Sequence, residues 1–530
     1  MVEKQNLDNR HYAILAALVL AAAAVRIAIA LCDESTLITK TLSDDAFYYF
    51  QIARNAASGN GVSFDGVEPA NGFHPLWLLL LLPVYFLFGD GLTAPLHVSL
   101  VIEALLDVGA GLLIYSLVRS LTRNYLAGIL GAAAYLLNPS VIFHSVNGLE
   151  TGLNLFCFCL YFWFYLRMVS EERFTAGNAA LLGLLSGLLM LARTDNFVVV
   201  GMVYAHFLFV RKQYEKPALA ALSVGLSALV VAPWMMWNFV TFGTFMQSSA
   251  SAYSIVIRGN LRASGFTDSR IFLSWLSNTV RLFIWTIPSD VFGWGKLLGI
   301  TAGLSVGMLL VDEGRAKRVW GAARLACVPL FAFVALTLTH SLLRGTLKSW
   351  YFMPAAAVGA VFLGIFCGAF DLSDVLGSVR ARVISGFMAV VILSGFALNG
   401  WTLWGKGMYP WQKEQLMAAE WVKEHLGDDV WIGSFNAGII GYMSERKVIN
   451  LDGLVNNAVV PYLKERRLWD YIEEREIAYI VDSDYSIMKD YRDFYGPGWK
   501  ANEHLLRIDT IDDPRVSWAG TNVAVYRVVK

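Results

Sequence analysis

The sequence predicts a polytopic α-helical membrane protein that carries a small α/β domain at its carboxyl end. Composition is the first observation: of 530 residues, 56% are hydrophobic and 16% charged, with a mean hydropathy of +0.51, more apolar surface than a soluble core can bury. The second is a series of about eleven apolar runs, each near the roughly 17 to 25 residues that cross about 30 Å of hydrocarbon. The third is a switch to soluble composition, with alternating strand and helix patterns, after residue 403. Together they divide the chain into a membrane unit, 1–403, and a domain, 404–530.

The runs fall near 13–32, 97–118, 124–141, 150–169, 176–193, 196–211, 217–238, 294–311, 324–341, 350–369 and 383–403. The first is too long for a removed signal peptide, lacks its cleavage pattern, and reads as an anchor. The run from Pro75 to Phe88 is short, with Pro83 inside it, and reads as a juxtamembrane segment lying along the outer face. That choice puts the turns holding Arg119 and Arg123, Arg167 and Arg173, Arg211, Lys212 and Lys216, Arg315, Lys317 and Arg318, and Arg380 and Arg382 on the side of Lys4 and Arg10. The positive-inside rule makes that side the cytoplasm. The expected orientation is amino end in and carboxyl end out, in a bacterial inner or plasma membrane.

Charge excludes some classes. Lys plus Arg equals Asp plus Glu at 42 each, and no long like-charge run occurs, which argues against a nucleic-acid partner. Cys32, Cys157, Cys159, Cys327 and Cys367 lie in or beside apolar stretches and read as packing residues, not as metal ligands or a disulfide framework. Arg26, Glu103 and Asp107 fall inside spans, where charge is expensive and is usually paired or functional. A salt bridge among them is one account; lining of a cavity is the other. They also suggest the main alternative class, a lipid or solute transporter or flippase, although the paired repeats common in transporters are not found. A receptor or assembly scaffold is a third reading.

The polar segments on the outer side hold most of the candidate chemistry. In the first outer loop, 33–96, Ser43 precedes Asp44 and Asp45, and apolar Ala46, Phe47, Phe50, Ala53 and Ala57 have the spacing of an amphipathic helix. The two carboxylates are either a helix cap that complements the dipole or a candidate catalytic pair. His74 could orient a phosphate or anchor the interface. Glu150, and Arg193 with Asp195, sit at outer ends of spans and could converge with Asp44 around one cavity, or form an ion pair that lets polar turns dip into the headgroups. Arg258, Arg262, Arg344 and Lys348 are outer cations that either bind a phosphate or snorkel as headgroup anchors.

In the last domain, strands are expected at Val430–Phe435, Lys447–Asp452 and Ile477–Asp482, helices at Asn436–Ser444 and Tyr462–Glu474, and edge strands at Leu505–Ile511 and Val523–Val529. The glycines of 431–441 open a helix after a strand, but their spacing is neither a dinucleotide fingerprint nor a P-loop. Asp452 closes a strand and reads as a turn residue.

The run Asp44-Asp45-Ala-Phe47, with Ala53-Arg54-Asn55, Gly59-x-Gly61, Asn71-Gly72-Phe73 and Pro75-Leu-Trp77, resembles the first outer loop of GT-C membrane glycosyltransferases. It is most similar to the branch containing the mycobacterial terminal arabinofuranosyltransferase, with aminoarabinose and protein O-mannosyl transferases more distant. Asn138-Pro139 with Asn147-Gly-Leu-Glu-Thr151, Ala192-Arg-Thr-Asp195 and Phe242-Gly243 to Ser249 extend the resemblance over roughly residues 10–400. Met246 or Gln247 stands where the branch usually has proline, and Tyr253 lies near where a lysine often follows.

The resemblance implies an inverting glycosyltransferase whose donor is a lipid-linked sugar, such as a polyprenyl phosphate glycoside, and whose acceptor is a glycan, lipid or protein. It implies Asp44 as general base, with Asp45 as its partner or an ion ligand. Arg54, His74, Glu150, Arg193, Asp195, Arg258, Arg344 and Lys348 become substrate-binding candidates. No cofactor is required in this class and a divalent metal is possible, though no histidine and carboxylate metal cluster is recognisable in the sequence.

Overall fold

The computed structural model describes residues 2–89, 91–250, 252–293, 313–344, 347–368, 394–514 and 522–529. Six described helices are long and apolar enough to cross a bilayer: His11–Ala30, Thr93–Thr122, Thr151–Ser170, Pro217–Phe242, Val319–Leu343 and Ser349–Cys367. Four shorter apolar helices accompany them, Pro75–Phe88, Tyr125–Leu136, Ala176–Ala192 and Thr194–Val210. The chain is an integral membrane protein. The run expected at 294–311, and 383–393 of the last one, lie outside the described residues.

The run expected over 124–141 is broken. Its helix ends at Leu136, and Asn138, extended at φ −69° and ψ 118°, caps a new short helix, Pro139–His144. Proline supplies no backbone N–H and disfavours the α conformation in the residue before it, so the helix stops there.

Arg26 and Asp107 pair inside the membrane unit, and Glu103 is held by backbone N–H groups. Arg26 is fully buried; its Nε donates to Asp107 Oδ2 at 2.9 Å, and its Nη1 reaches the Leu136 carbonyl at 3.0 Å. Tyr135 Oη donates to the other Asp107 oxygen at 2.5 Å. Glu103 accepts the backbone N–H groups of Gly148 and Gly152 at 2.9 and 3.3 Å, fastening the turn that leads to Glu150. None of the three lines the cavity described below.

The helix α1 (Asp44–Ala57) buries Phe47 and Phe50 in a core shared with Trp77 and Tyr85 of α2 (Pro75–Phe88) and with Ile439, Ile440 and Tyr442 of α3 (Ala437–Ser444). Tyr85 Oη and Tyr442 Oη lie 3.2 Å apart. Burying large aromatic faces is the main attraction available to such a joint. The first loop and the carboxyl-terminal domain therefore form one body, on one side of whatever bilayer the helices cross.

That domain is built on a five-stranded sheet of β1 (Ile432–Ser434), β2 (Val448–Asn450), β3 (Tyr479–Ser483), β4 (Leu505–Ile511) and β5 (Val523–Val528), in the order β2-β1-β3-β5-β4. The first three are mutually parallel, and β5 and β4 add antiparallel. Two expectations are corrected. β5 is interior rather than an edge, because it pairs with both β3 and β4. The helix expected over Tyr462–Glu474 is two, Val460–Glu465 and Leu468–Glu474, separated where Arg466 turns left-handed at φ +55° and cannot continue an α-helix. The parallel strands all end at the same sheet edge, where ligands of open α/β sheets bind. Here that edge faces the first loop.

Candidate active site

A cavity of about 900 Å³ opens between the membrane unit, the first loop and the sheet domain. Met190, Phe197, Val231, Trp234 and Leu336 give it an apolar wall, while Asp45, Glu150, Lys348, Asn436, Asp452 and Ser486 give it a polar one. A concave apolar site with a few convergent polar groups is the usual form of a ligand pocket.

Asp44 and Asp45 occupy the first turn of α1, as the pattern predicts, but they face different ways. Asp44 is 8% exposed and does not line the cavity. Its carboxylate accepts the backbone N–H of Ile439 at 2.7 Å and of Gly438 at 3.4 Å, so it caps α3 of the sheet domain rather than its own helix. Its own N–H donates to Gln412 Oε1 at 2.9 Å. The α3 N-terminus that invited a nucleotide-loop reading is thus occupied by a carboxylate from the first loop. Gly438 allows this approach: a Cβ there would lie 2.1 Å from the Asp44 carbonyl oxygen.

Asp45 lines the cavity. Burial raises its pKa, the charge of Lys348 opposes that rise and the charge of Glu150 adds to it. Burial pushes the Asp44 carboxyl up to about 7, against the two N–H groups that favour its charged form. A carboxyl whose folded pKa is raised adds stability that is full below its unfolded pKa and is lost as pH rises through the folded value. For Asp44 the window runs from about pH 4 to pH 7, and the loss across it is on the order of 4 kcal/mol. Asp44→Asn is expected to flatten this dependence, which melting curves of both proteins in detergent from pH 4 to 8 would reveal.

Glu150, Arg193 and Asp195, expected to converge with Asp44, come together with His74 instead. Arg193 Nη1 donates to Glu150 Oε1 at 2.5 Å, while its Nε and Nη2 hold both oxygens of Asp195 at 3.2 and 2.5 Å. Tyr49 Oη donates to Glu150 Oε2 at 2.7 Å. The Thr194 N–H donates to His74 Nδ1 at 3.2 Å, which leaves the imidazole proton on Nε2, 3.6 Å from Glu150. His340 bonds Asp195 Oδ2 at 2.8 Å, and the Arg193 guanidinium lies 4.4 Å from the centre of the Tyr351 ring. The chain of contacts rigidifies one side of the cavity.

The other candidates divide. Lys348 and Arg258 line the cavity. Among the described residues no carboxylate lies within ion-pair distance of either. Arg258 lies over the Trp275 ring at 4.7 Å. Two candidates are displaced from it: Arg54 pairs with Glu445 of the sheet domain at 3.4 Å, and Arg262 pairs with Asp268 at 2.9 Å. Arg344 ends the helix Glu313–Arg344, and its side chain lies outside the described residues. Among the described residues no three His, Cys, Asp or Glu side chains come together in a way that could hold a metal ion.

Sequence reasoning missed Tyr49, His340 and the placement of Asp452. A histidine in an otherwise apolar span is a signal that could have found His340. Asp452 does make its turn, accepting the Leu454 N–H at 2.7 Å, yet it also lines the cavity.

The fold is that of GT-C membrane glycosyltransferases. The chain is similar to ArnT from Cupriavidus metallidurans bound to undecaprenyl phosphate, at 12% identity and a TM-score of 0.58, over 97% of each chain. It is also similar to the apo oligosaccharyltransferase of Archaeoglobus fulgidus, at 13% identity and a TM-score of 0.61, over 94% of this chain and 73% of that one. The archaeal oligosaccharyltransferase AglB from the same organism, in complex with an inhibitory peptide and a dolichol-phosphate, matches at 14% identity and a TM-score of 0.56, over 98% and 74%. Residues 406–526 match the family model of a domain of unknown function, DUF8728. No curated protein matches the chain in sequence.

Proposed function

We propose that the protein is an inverting glycosyltransferase that moves a sugar from a polyprenyl-phosphate donor to a hydroxyl-bearing acceptor on the outer side of the membrane. The observation that carries this reading is the cavity itself, which Asp45 and Lys348 line together with apolar Met190, Val231 and Trp234. A lipid-linked phosphate sugar needs both kinds of lining. The fold neighbours bound to undecaprenyl phosphate and dolichol-phosphate support the donor class. The positive-inside count supports the orientation, with the amino end in the cytoplasm and the sheet domain outside.

In this reading the acceptor oxygen attacks the anomeric carbon as its proton passes to the Asp45 carboxylate. The bond from that carbon to the phosphate oxygen breaks, and its electron pair leaves with the phosphate, whose growing charge Lys348 and Arg258 stabilise. A single displacement inverts the anomeric centre. The sequence motif makes Asp44 the base; the geometry favours Asp45, because Asp44 gives its oxygens to α3 and does not line the cavity. Asp44 then serves to seat the sheet domain over the site. Arg193 is held on both sides by carboxylates and shapes the wall.

The test is transfer of labelled sugar from a panel of polyprenyl-phosphate sugars by the full chain in nanodiscs, with Asp45→Asn and Asp44→Asn beside wild type. Transfer with one donor that requires Asp45 supports the reading. No transfer and no hydrolysis with any donor overturns it.

A further inference from the structure

Resting on the glycosyl-transfer reading, we infer that Asp452 of the sheet domain is the acceptor-specificity residue, and that the wall it stands on selects an uncharged polyhydroxyl acceptor, a neutral glycan, over an acidic one. The sheet domain contributes Asn436, Asp452, Leu454, Ser486, Asp490 and Tyr491 to the cavity. Two of these are carboxylates and none is a cation. The lining cations Lys348, Arg258 and Arg193 all come from the membrane unit. Of these, Arg193 is neutralised by Glu150 and Asp195, while Lys348 and Arg258 have no carboxylate at ion-pair distance among the described residues, so an anionic donor phosphate is matched to the membrane unit and the sheet domain is left to face the acceptor. A carboxyl oxygen accepts hydrogen bonds from the hydroxyls of a sugar, and a uronate or phosphate brought beside Asp452 adds to the like charge of Asp45 and Asp44 that its carboxyl already meets.

The second observation is that this wall is fixed in place. The Leu454 carbonyl accepts from Ser248 Oγ at 2.8 Å. Asn71 Oδ1 accepts both the Ser248 N–H at 3.0 Å and Asn457 Nδ2 at 2.8 Å, and Asn71 Nδ2 donates to Asn238 Oδ1 at 2.6 Å. At Gly72 an added Cβ would fall 1.5 Å from the Leu454 carbonyl oxygen, so only glycine lets the 452–457 loop approach this closely. Asn71-Gly72 and the segment ending at Ser249 are motifs the sequence singled out; here they clamp the loop that carries Asp452. With α3 seated on Asp44 as a second joint, Asp452 is held at the cavity; burial raises its proton affinity, the Leu454 N–H opposes that rise, and the charges of Asp45 and Asp44 add to it. Tyr491, stacked on Phe435 with ring centres 3.9 Å apart, gives the same wall an aromatic face for a sugar ring.

The experiment uses the full chain in nanodiscs with the donor found active, and compares a neutral oligosaccharide acceptor with one carrying a uronate. Wild type is expected to favour the neutral acceptor at least tenfold in kcat/KM. Asp452→Asn keeps the oxygen that accepts the Leu454 N–H, so a turn-only role predicts no change. The inference predicts about a tenfold higher acceptor KM, a narrowed preference and an unchanged donor KM. If Asp452→Asn melts early, Asp452→Ser, which also keeps an acceptor oxygen, replaces it with the same expectations. Wild-type acceptor KM and preference in a folded variant would overturn the inference alone. A wild type that neither transfers nor hydrolyses any donor overturns the glycosyl-transfer reading, and this inference with it.

Discussion

Asp45→Asn is expected to lower kcat for sugar transfer by about 10² to 10⁴-fold while leaving donor KM and the melting temperature near wild type. A positioned base contributes a factor of that size, and the amide that replaces the carboxylate keeps its volume but cannot take a proton. The carboxylate stands on the cavity wall with Lys348 near enough to favour its charged form. Asp44→Asn separates base from joint. Its oxygens hold Gly438 and Ile439 of the sheet domain, so its loss is expected in stability and pH dependence before it is seen in kcat. Steady-state transfer assays beside detergent melts measure both. The reverse pattern, a collapse of kcat in a fully stable Asp44→Asn with an active Asp45→Asn, would return the base to Asp44.

The fold class was legible because apolar runs and the change of composition near residue 403 are local properties of the chain. So was the first turn of α1, since Asp44 and Asp45 precede an apolar period that only a helix satisfies. What the two acids do was not legible. Helical neighbours in sequence point about 100° apart, and which of them meets the cavity depends on a helix almost four hundred residues away. Glu150, Arg193 and Asp195 could be grouped because all sit at span ends expected on the same side. His340 could not be joined to them by spacing, and the role of Asp452 needed the sheet edge to be turned toward the first loop. The place of Arg54 in a motif suggests substrate binding; the structure pairs it with Glu445 of the sheet domain and does not put it among the cavity's lining residues.

Arg193→Met is expected to destabilise the protein by about 3–5 kcal/mol, the largest stability effect among the site residues. Arg193 is 5% exposed and Glu150 3% exposed, and the guanidinium is shared between two carboxylates. Taking away one partner of a buried pair strands the other charge in a medium that cannot solvate it. Glu150 would keep only the Tyr49 hydroxyl and the more distant His74, and Asp195 would keep His340. Arg193→Lys is expected to recover less than half of the loss, because a single ammonium cannot reproduce the fork that reaches both oxygens of Asp195 while also meeting Glu150. Unfolding in detergent checks these values. The contrast with Lys348 tests the division of labour: Lys348→Ala, an exposed cavity residue, is expected to leave stability within about 0.5 kcal/mol of wild type and to raise donor KM. A stable Arg193→Met with a raised donor KM would show instead that Arg193 binds the phosphate directly and that its carboxylate partners release it when the donor arrives.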